Sequence, residues 1–206
     1  TKLSYEVGGR TAIGDWGQPR TAIWYANGTA STNNFFVFNG VYGQWVFNDS
    51  QEGYIKPEWG LNFTLGNATA AILEATRLAS TNKVVWFTQP IYDTDGITIN
   101  TSVTPYLNWK GSGSIGAREN GQFGDANVIR LRAGSNTNFI TIDGNVSFNV
   151  QGLAFNANKA NQANTFDAFV VKGTSSYYSG VLQDVHVNYS KRDGLLNESR
   201  PQVYVL

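Results

Sequence analysis

Apolar and polar residues alternate in short runs along most of this chain, and Gly, Asn and Ser punctuate the runs. A period of two turns one side of a strand toward a core and the other away from it. Beyond Lys83 the pattern predicts strands at Val84–Phe87, Ile97–Asn100, Tyr106–Trp109, Val128–Arg132, Phe139–Ile142, Phe148–Phe155, Phe166–Val171, Val181–Asn188 and Val203–Leu206. No helix-period segment separates them, which disfavours a βαβ fold. Ala68–Ser80 is the one convincing helix: Ala68, Ala71, Ile72, Ala75 and Ala79 fall on one face, with Glu74 and Arg77 off it. Asn67 stands where an N-cap oxygen is needed.

Residues 1–56 have a different texture, aromatic and hairpin-like. Thr21–Ala26 reads as a strand ending at Asn27-Gly28. Phe35–Phe38 and Val41–Phe47 flank Asn39-Gly40, a strong hairpin signal, so a small antiparallel module is expected. Alternation separates Trp24 from Ile23 and Tyr25, whereas Phe35–Phe38 is apolar on both sides. With Trp16, Tyr42, Trp45 and Phe47 these form an aromatic cluster. Trp24, Phe35, Phe36, Phe38, Trp45 and Phe47 are its candidates for packing on the rest of the chain, for subunit contacts or for stacking on carbohydrate.

Two stretches repeat. Gln151-Gly-Leu-Ala-Phe-Asn156 aligns with Gln183-Asp-Val-His-Val-Asn188 at an offset of 32, and Asp167-Ala-Phe-Val with Asp193-Gly-Leu-Leu at 26. Unequal offsets of this size suit stacked units joined by turns of varying length.

Residues 58–206 add an ordered set of motifs: Glu58-Trp-Gly, Asn67-Ala-Thr-Ala-Ala-Ile-Leu-Glu-Ala, Lys83-Val-Val-Trp-Phe, Gly96-Ile-Thr-Ile and Gly111-Ser-Gly-Ser, then Val150–Gln162 and Val181–Asn188. This order resembles the entry segment and first coils of the pectate-lyase-like superfamily. Thr88-Gln-Pro-Ile-Tyr92 departs from it by lacking a glycine. The resemblance implies an all-β fold: a right-handed parallel β-helix over 57–206 with one N-terminal capping α-helix, preceded by the antiparallel β module of 1–56. It also implies that the apolar last run, Val203–Leu206, continues into further coils or is covered by a partner, so a fragment of a longer chain is expected.

Composition narrows the function classes. Fifteen basic and fifteen acidic residues cancel, which removes the footprint of a nucleic-acid or anionic-membrane binder. Cysteine is absent, excluding disulfides and thiol chemistry, and no apolar run is long enough to span a bilayer. A start at Thr1 and the lack of methionine fit a processed chain whose signal segment is gone. Eight Asn-X-Ser/Thr sequons occur, at Asn27, Asn48, Asn62, Asn67, Asn100, Asn145, Asn188 and Asn197. Chance gives roughly three or four, so an extracellular glycoprotein is the expectation, with Asn-rich turn composition as the alternative.

Candidate chemistry is sparse. Asp167, Asp184 and Asp193 lie in successive units and are weak candidates for a carboxylate pair on one face, or else turn residues. Arg130 and Arg132 share one side of a strand and, with Asp125 or Asp143, form a conceivable clamp for a substrate carboxylate, or else are solvated charges. His186 is the lone histidine, opposite Val185 and Val187. Asp93-Thr-Asp95-Gly96 has the opening of a calcium loop, but no Glu follows at the needed position. Neither a metal nor a cofactor is expected, and enzyme signatures of the superfamily are missing. The sequence therefore predicts a structural or adhesive protein of a virion or surface filament, in a homomeric assembly and with polysaccharide as a candidate partner. The alternative is a polysaccharide lyase or glycoside hydrolase.

Overall fold

Short alternating runs become short strands here, because each turn residue ends a run before it can lengthen. The computed structural model describes residues 3–7, 20–26, 32–33, 35–47, 52–60, 62–64, 66–79, 82–111, 113, 127–173, 179–198 and 202–206. The protein is mostly β with parallel sheets. Trp16, Asn27, Asn48, Ser80 and Asp125 lie outside the described residues.

Four strands form an antiparallel sheet in the order β1 (Leu3–Val7), β2 (Arg20–Tyr25), β4 (Gly43–Phe47), β3 (Val37–Gly40). The turn between β3 and β4 is Val41–Tyr42, two residues beyond the expected Asn39-Gly40, which instead ends β3. Trp24 supplies the reason. Cβ atoms added at Gly40 and Gly43 would come within 2.7 Å of its indole, so both glycines are consumed as space for the ring.

The remaining strands form three parallel sheets. β5 (Tyr54–Ile55), β6 (Val84–Trp86), β9 (Tyr106–Lys110), β12 (Ser147–Gln151), β15 (Ser179–Gln183) and β18 (Gln202–Val205) are neighbours in that order. β7 (Ile91–Thr94), β10 (Asn127–Leu131), β13 (Leu153–Asn156) and β16 (His186–Asn188) make the second sheet. β8 (Ile97–Ile99), β11 (Ile140–Asp143), β14 (Phe169–Lys172) and β17 (Leu195–Asn197) make the third. From β6 onward the chain visits the sheets in rotation, and each strand pairs with the one three places later.

Two predicted runs split at corners. Phe148–Phe155 breaks at Gly152 (φ +63°), and Val181–Asn188 at Asp184 (φ +50°). Both corner residues sit in the left-handed region, which Gly enters freely and Asp tolerates. The repeat offsets are ladder registers: Phe155 pairs with Val187 and Gln151 with Gln183, while Phe169 pairs with Leu195.

The helix α1 (Thr69–Ala79) packs against β5, β6, β8 and β9. Ala71, Ile72, Ala75 and Ala79 are buried on the predicted face, together with Thr76. Asn67 caps it, its Oδ1 accepting from Thr69 N at 3.1 Å. Small residues on that face let the helix approach the sheets closely. One core runs through both regions: Phe35, Phe36 and Phe47 join Trp109, Phe148, Phe155 and Phe169, with Phe38 and Trp45 partly buried against it. Arg20 ties them, donating to the carbonyls of Phe35 (2.6 Å) and Trp59 (3.2 Å) with its guanidinium 4.1 Å from the Phe47 ring centroid.

Candidate functional site

In the six-stranded sheet, alternation gives two faces of different chemistry. Ile55, Val85, Leu107, Trp109, Phe148, Val150 and Leu182 are buried. The other set points away from that core: Trp86 and Lys110 on one row with Gln151 and Gln183, and Asn108 and Asn149 on the next. Asn149 Nδ2 lies 3.4 Å from Asn108 Oδ1, and most of these side chains are half-buried. Among the described residues of this face there is no carboxylate.

An aromatic group closes the face at the β5 edge. Tyr54 meets the Trp86 ring edge-on at 5.0 Å and lies 5.5 Å from Trp59. Lys56 is nine-tenths buried among them, its Nζ 5.3 Å from the Trp86 ring centroid and 5.9 Å from those of Tyr54 and Trp59. Such placement is favourable for a cation over π faces. The indole N–H groups of Trp59 and Trp86 are buried and find no acceptor among the described residues. Rings that offer an apolar face beside amides that both donate and accept are the groups that recognise polyhydroxylated ligands.

Behind this group, Glu58 is buried and accepts from the hydroxyls of Thr88 and Tyr92, the latter at 2.9 Å. Tyr92 Oη in turn accepts from the backbone N–H groups of Thr88 and Gln89, each at 2.9 Å. Burial raises the Glu58 carboxyl above the ordinary range, against the pull of these hydrogen bonds and the Lys56 charge. Burial, with the Glu58 charge second, likewise raises the Tyr92 hydroxyl. Every polar atom of this cluster has a partner inside the chain, so it fixes the Pro57–Trp59 turn against β7.

The acids and arginines singled out in the sequence lie elsewhere. Asp167 is fully buried, and both carboxylate oxygens face the Arg192 guanidinium, with Nε 2.7 Å from Oδ1. Asp193 N also donates to Oδ1 at 3.2 Å. Arg192 holds the Asp167 carboxyl below its ordinary range, burial opposing. Asp193 occupies the neighbouring corner, its carbonyl accepting from Ala168 N at 2.9 Å. Asp184 sits at a different corner, between β15 and β16. The structure thus brings Asp167 and Asp193 together and leaves Asp184 apart.

Arg130 forms a two-pronged pair with Asp93 (2.6 and 2.8 Å), and Arg132 reaches Asp95 at 3.1 Å. Arg130 and Asp93 are ladder partners on adjacent strands, so their pairing follows from register. Asp93 and Asp95, which opened the calcium-like run, therefore face arginines. Asp95 also accepts from Asn67 Nδ2 at 2.8 Å. Asp143 is exposed at the end of β11. His186 is half-buried between Val185 and Val187, which pack on the core. Sequence reasoning missed the amide face, although the alternating polar positions of Tyr106–Lys110 and Ser147–Gln151 carry its signal. The chain matches no protein-family model and no curated protein.

Proposed function

We propose that this is an extracellular structural and adhesive protein, of a virion or surface filament, whose body is a right-handed parallel β-helix capped by α1. The cyclic order of the three parallel sheets supports the β-helix, and right-handedness is the sense that strand twist favours for parallel crossovers. Capping by α1 has a physical purpose, since an uncovered end exposes apolar core and unpaired strand edges. At the other end β16, β17 and β18 each have one neighbour among the described strands, and Tyr204, Val205 and Leu206 are exposed. Further coils or further copies of the chain satisfy such edges, so a homo-oligomer is part of this reading.

The observation that carries the reading is the outward face of the six-stranded sheet, which offers amides, hydroxyls and aromatic rings without a carboxylate among the described residues. Hydrolysis of a glycosidic bond needs two carboxyl groups with separated roles. Asp167, the most buried of the sequence candidates, is committed to Arg192. Recognition of a polysaccharide without cleavage fits the face better than turnover does.

The test is electrophoresis of the protein through gels containing polysaccharides, together with analysis of the sugar for released fragments. Retardation without fragments is expected. Trp86→Ala should weaken retention by about tenfold, as loss of one aromatic contact worth about 1.4 kcal/mol does. A monomer that releases oligosaccharides sinks the proposal and restores the lyase or hydrolase alternative.

A further inference from the structure

The six described sequons differ in what the fold asks of the asparagine side chain. Attachment of a glycan forms a bond between Asn Nδ2 and the anomeric carbon of the sugar. The bond from that carbon to the phosphate oxygen of a lipid-linked donor breaks, Nδ2 gives up one proton, and the lipid phosphate departs. The folded chain must then leave room for a bulky polar group at Nδ2.

Asn67 is committed on both sides. Its Oδ1 caps α1 and its Nδ2 donates to Asp95, which is itself held by Arg132. Asn145 has its Oδ1 buried. Asn188 stands within β16 as the ladder partner of Asn156. At Asn67 a glycan competes with contacts that the fold already makes.

Asn100 is arranged differently. It begins the turn between β8 and β9, and its Oδ1 accepts from Ser102 N (3.0 Å), Ser102 Oγ (2.5 Å) and Val103 N (3.3 Å). Its backbone carbonyl accepts from Val103 N and Thr104 N, both at 3.0 Å, so the turn is fixed from both ends. Among the described residues the carboxamide is thus oriented by its oxygen alone, and Nδ2 has no hydrogen bond there to give up. Thr101 and Ser102 beside it are exposed. The hydroxyl that completes the sequon is bonded to the same carboxamide, within the local Asx turn. The turn joins strands of two different sheets, β8 of the third sheet and β9 of the six-stranded one.

We infer that Asn100 carries an N-linked glycan and that the Asn67 sequon is bare. The inference rests on the extracellular reading, because the lipid-linked sugar donor works on exported chains. Mass spectrometry of the native full chain, after enzymatic release of N-glycans in heavy-oxygen water, marks every asparagine that bore one. The expected result is a mark at Asn100 and none at Asn67. Asn100→Gln and Ser102→Ala should each remove one glycan from the intact mass, and Ser102→Thr should retain it. Asn100→Gln should still fold, because the backbone carbonyl of residue 100 goes on accepting from Val103 N and Thr104 N. Glycans found at other sequons with Asn100 bare overturn the inference and leave the extracellular reading standing. A chain without any glycan that fractionates inside the cell overturns both.

Discussion

The indole of Trp109, on β9, donates to the Thr76 hydroxyl of α1 at 2.9 Å, and that hydroxyl donates to Ile72 O at 2.7 Å. All three residues are buried, so this relay is a polar contact that fixes the helix on the six-stranded sheet. Thr76→Val keeps the shape and strands the indole N–H. The expected cost is about 1–3 kcal/mol, the usual penalty for orphaning a buried donor. Urea denaturation reads it directly, and Thr76→Ser should recover most of the loss. Equal stability of the Val variant and the native chain would mean that apolar packing alone holds the helix.

Gly180 lies under Phe148 in the adjacent strand, and a Cβ there would meet the ring at 1.9 Å. Gly180→Ala is therefore an overpacking change, with an expected loss of about 1–3 kcal/mol. The same substitution in a Phe148→Ala background should cost far less, since the obstructing ring is gone. A thermal-denaturation cycle over the four variants measures this coupling; strict additivity would contradict the contact.

Two buried carboxyl groups pull the pH profile in opposite directions. Asp167 is held low by Arg192, so its stabilisation is present above its unfolded value of about 3.9 and is lost as pH falls through the lower folded value. Glu58 is raised by burial, so the unfolded chain releases that proton first as pH rises past about 4.3. Stability from Glu58 is therefore complete in acid and declines as pH climbs through the folded value. Melting temperatures collected from about pH 2 to 7 should show Asp167→Asn flattening the acid limb. Glu58→Gln should gain on the native chain toward neutral pH. An unchanged profile for the Glu58 variant would show that this carboxyl is as well solvated folded as unfolded.

Arg130 and Asp93 are both partly exposed, with side-chain accessibilities of 40% and 23%. Their pair should therefore contribute at most about 1 kcal/mol, and a double-mutant cycle at low and high salt should find less at high salt. A large, salt-insensitive coupling would mark the pair as a functional centre.

Much of the parallel-sheet region was legible because its repeats are registers. Gln151–Asn156 and Gln183–Asn188 align in sequence because they lie on adjacent rungs, and Asp184 takes the place of Gly152 at a corner that needs a positive φ. The strands β5, β7 and β17 are not predicted: Tyr54–Ile55, Ile91–Thr94 and Leu195–Asn197 are too short for alternation to stand out from the turns around them. The hairpin tip was misplaced because Asn39-Gly40 reads locally as a turn, whereas Gly40 is spent on the Trp24 ring, a contact between separate strands. The acids were legible as residues and not as partners. Nothing local in the sequence links Asp167 to Arg192 or Glu58 to Tyr92, since each pair meets only through the folding of the chain.

Successive rungs of the third sheet are Ile97, Ile140, Phe169 and Leu195, and the lengths of chain between them are all different. Strand pairing is thus indifferent to how much sequence is spent at a corner. A corner such as Asn100–Thr104 is consequently a splice point, where a loop, a peptide tag or a whole small domain can be inserted while every ladder keeps its register. Variation in such a protein can accumulate at its corners without touching the ladders, so its surface can be rewritten while its scaffold stays fixed.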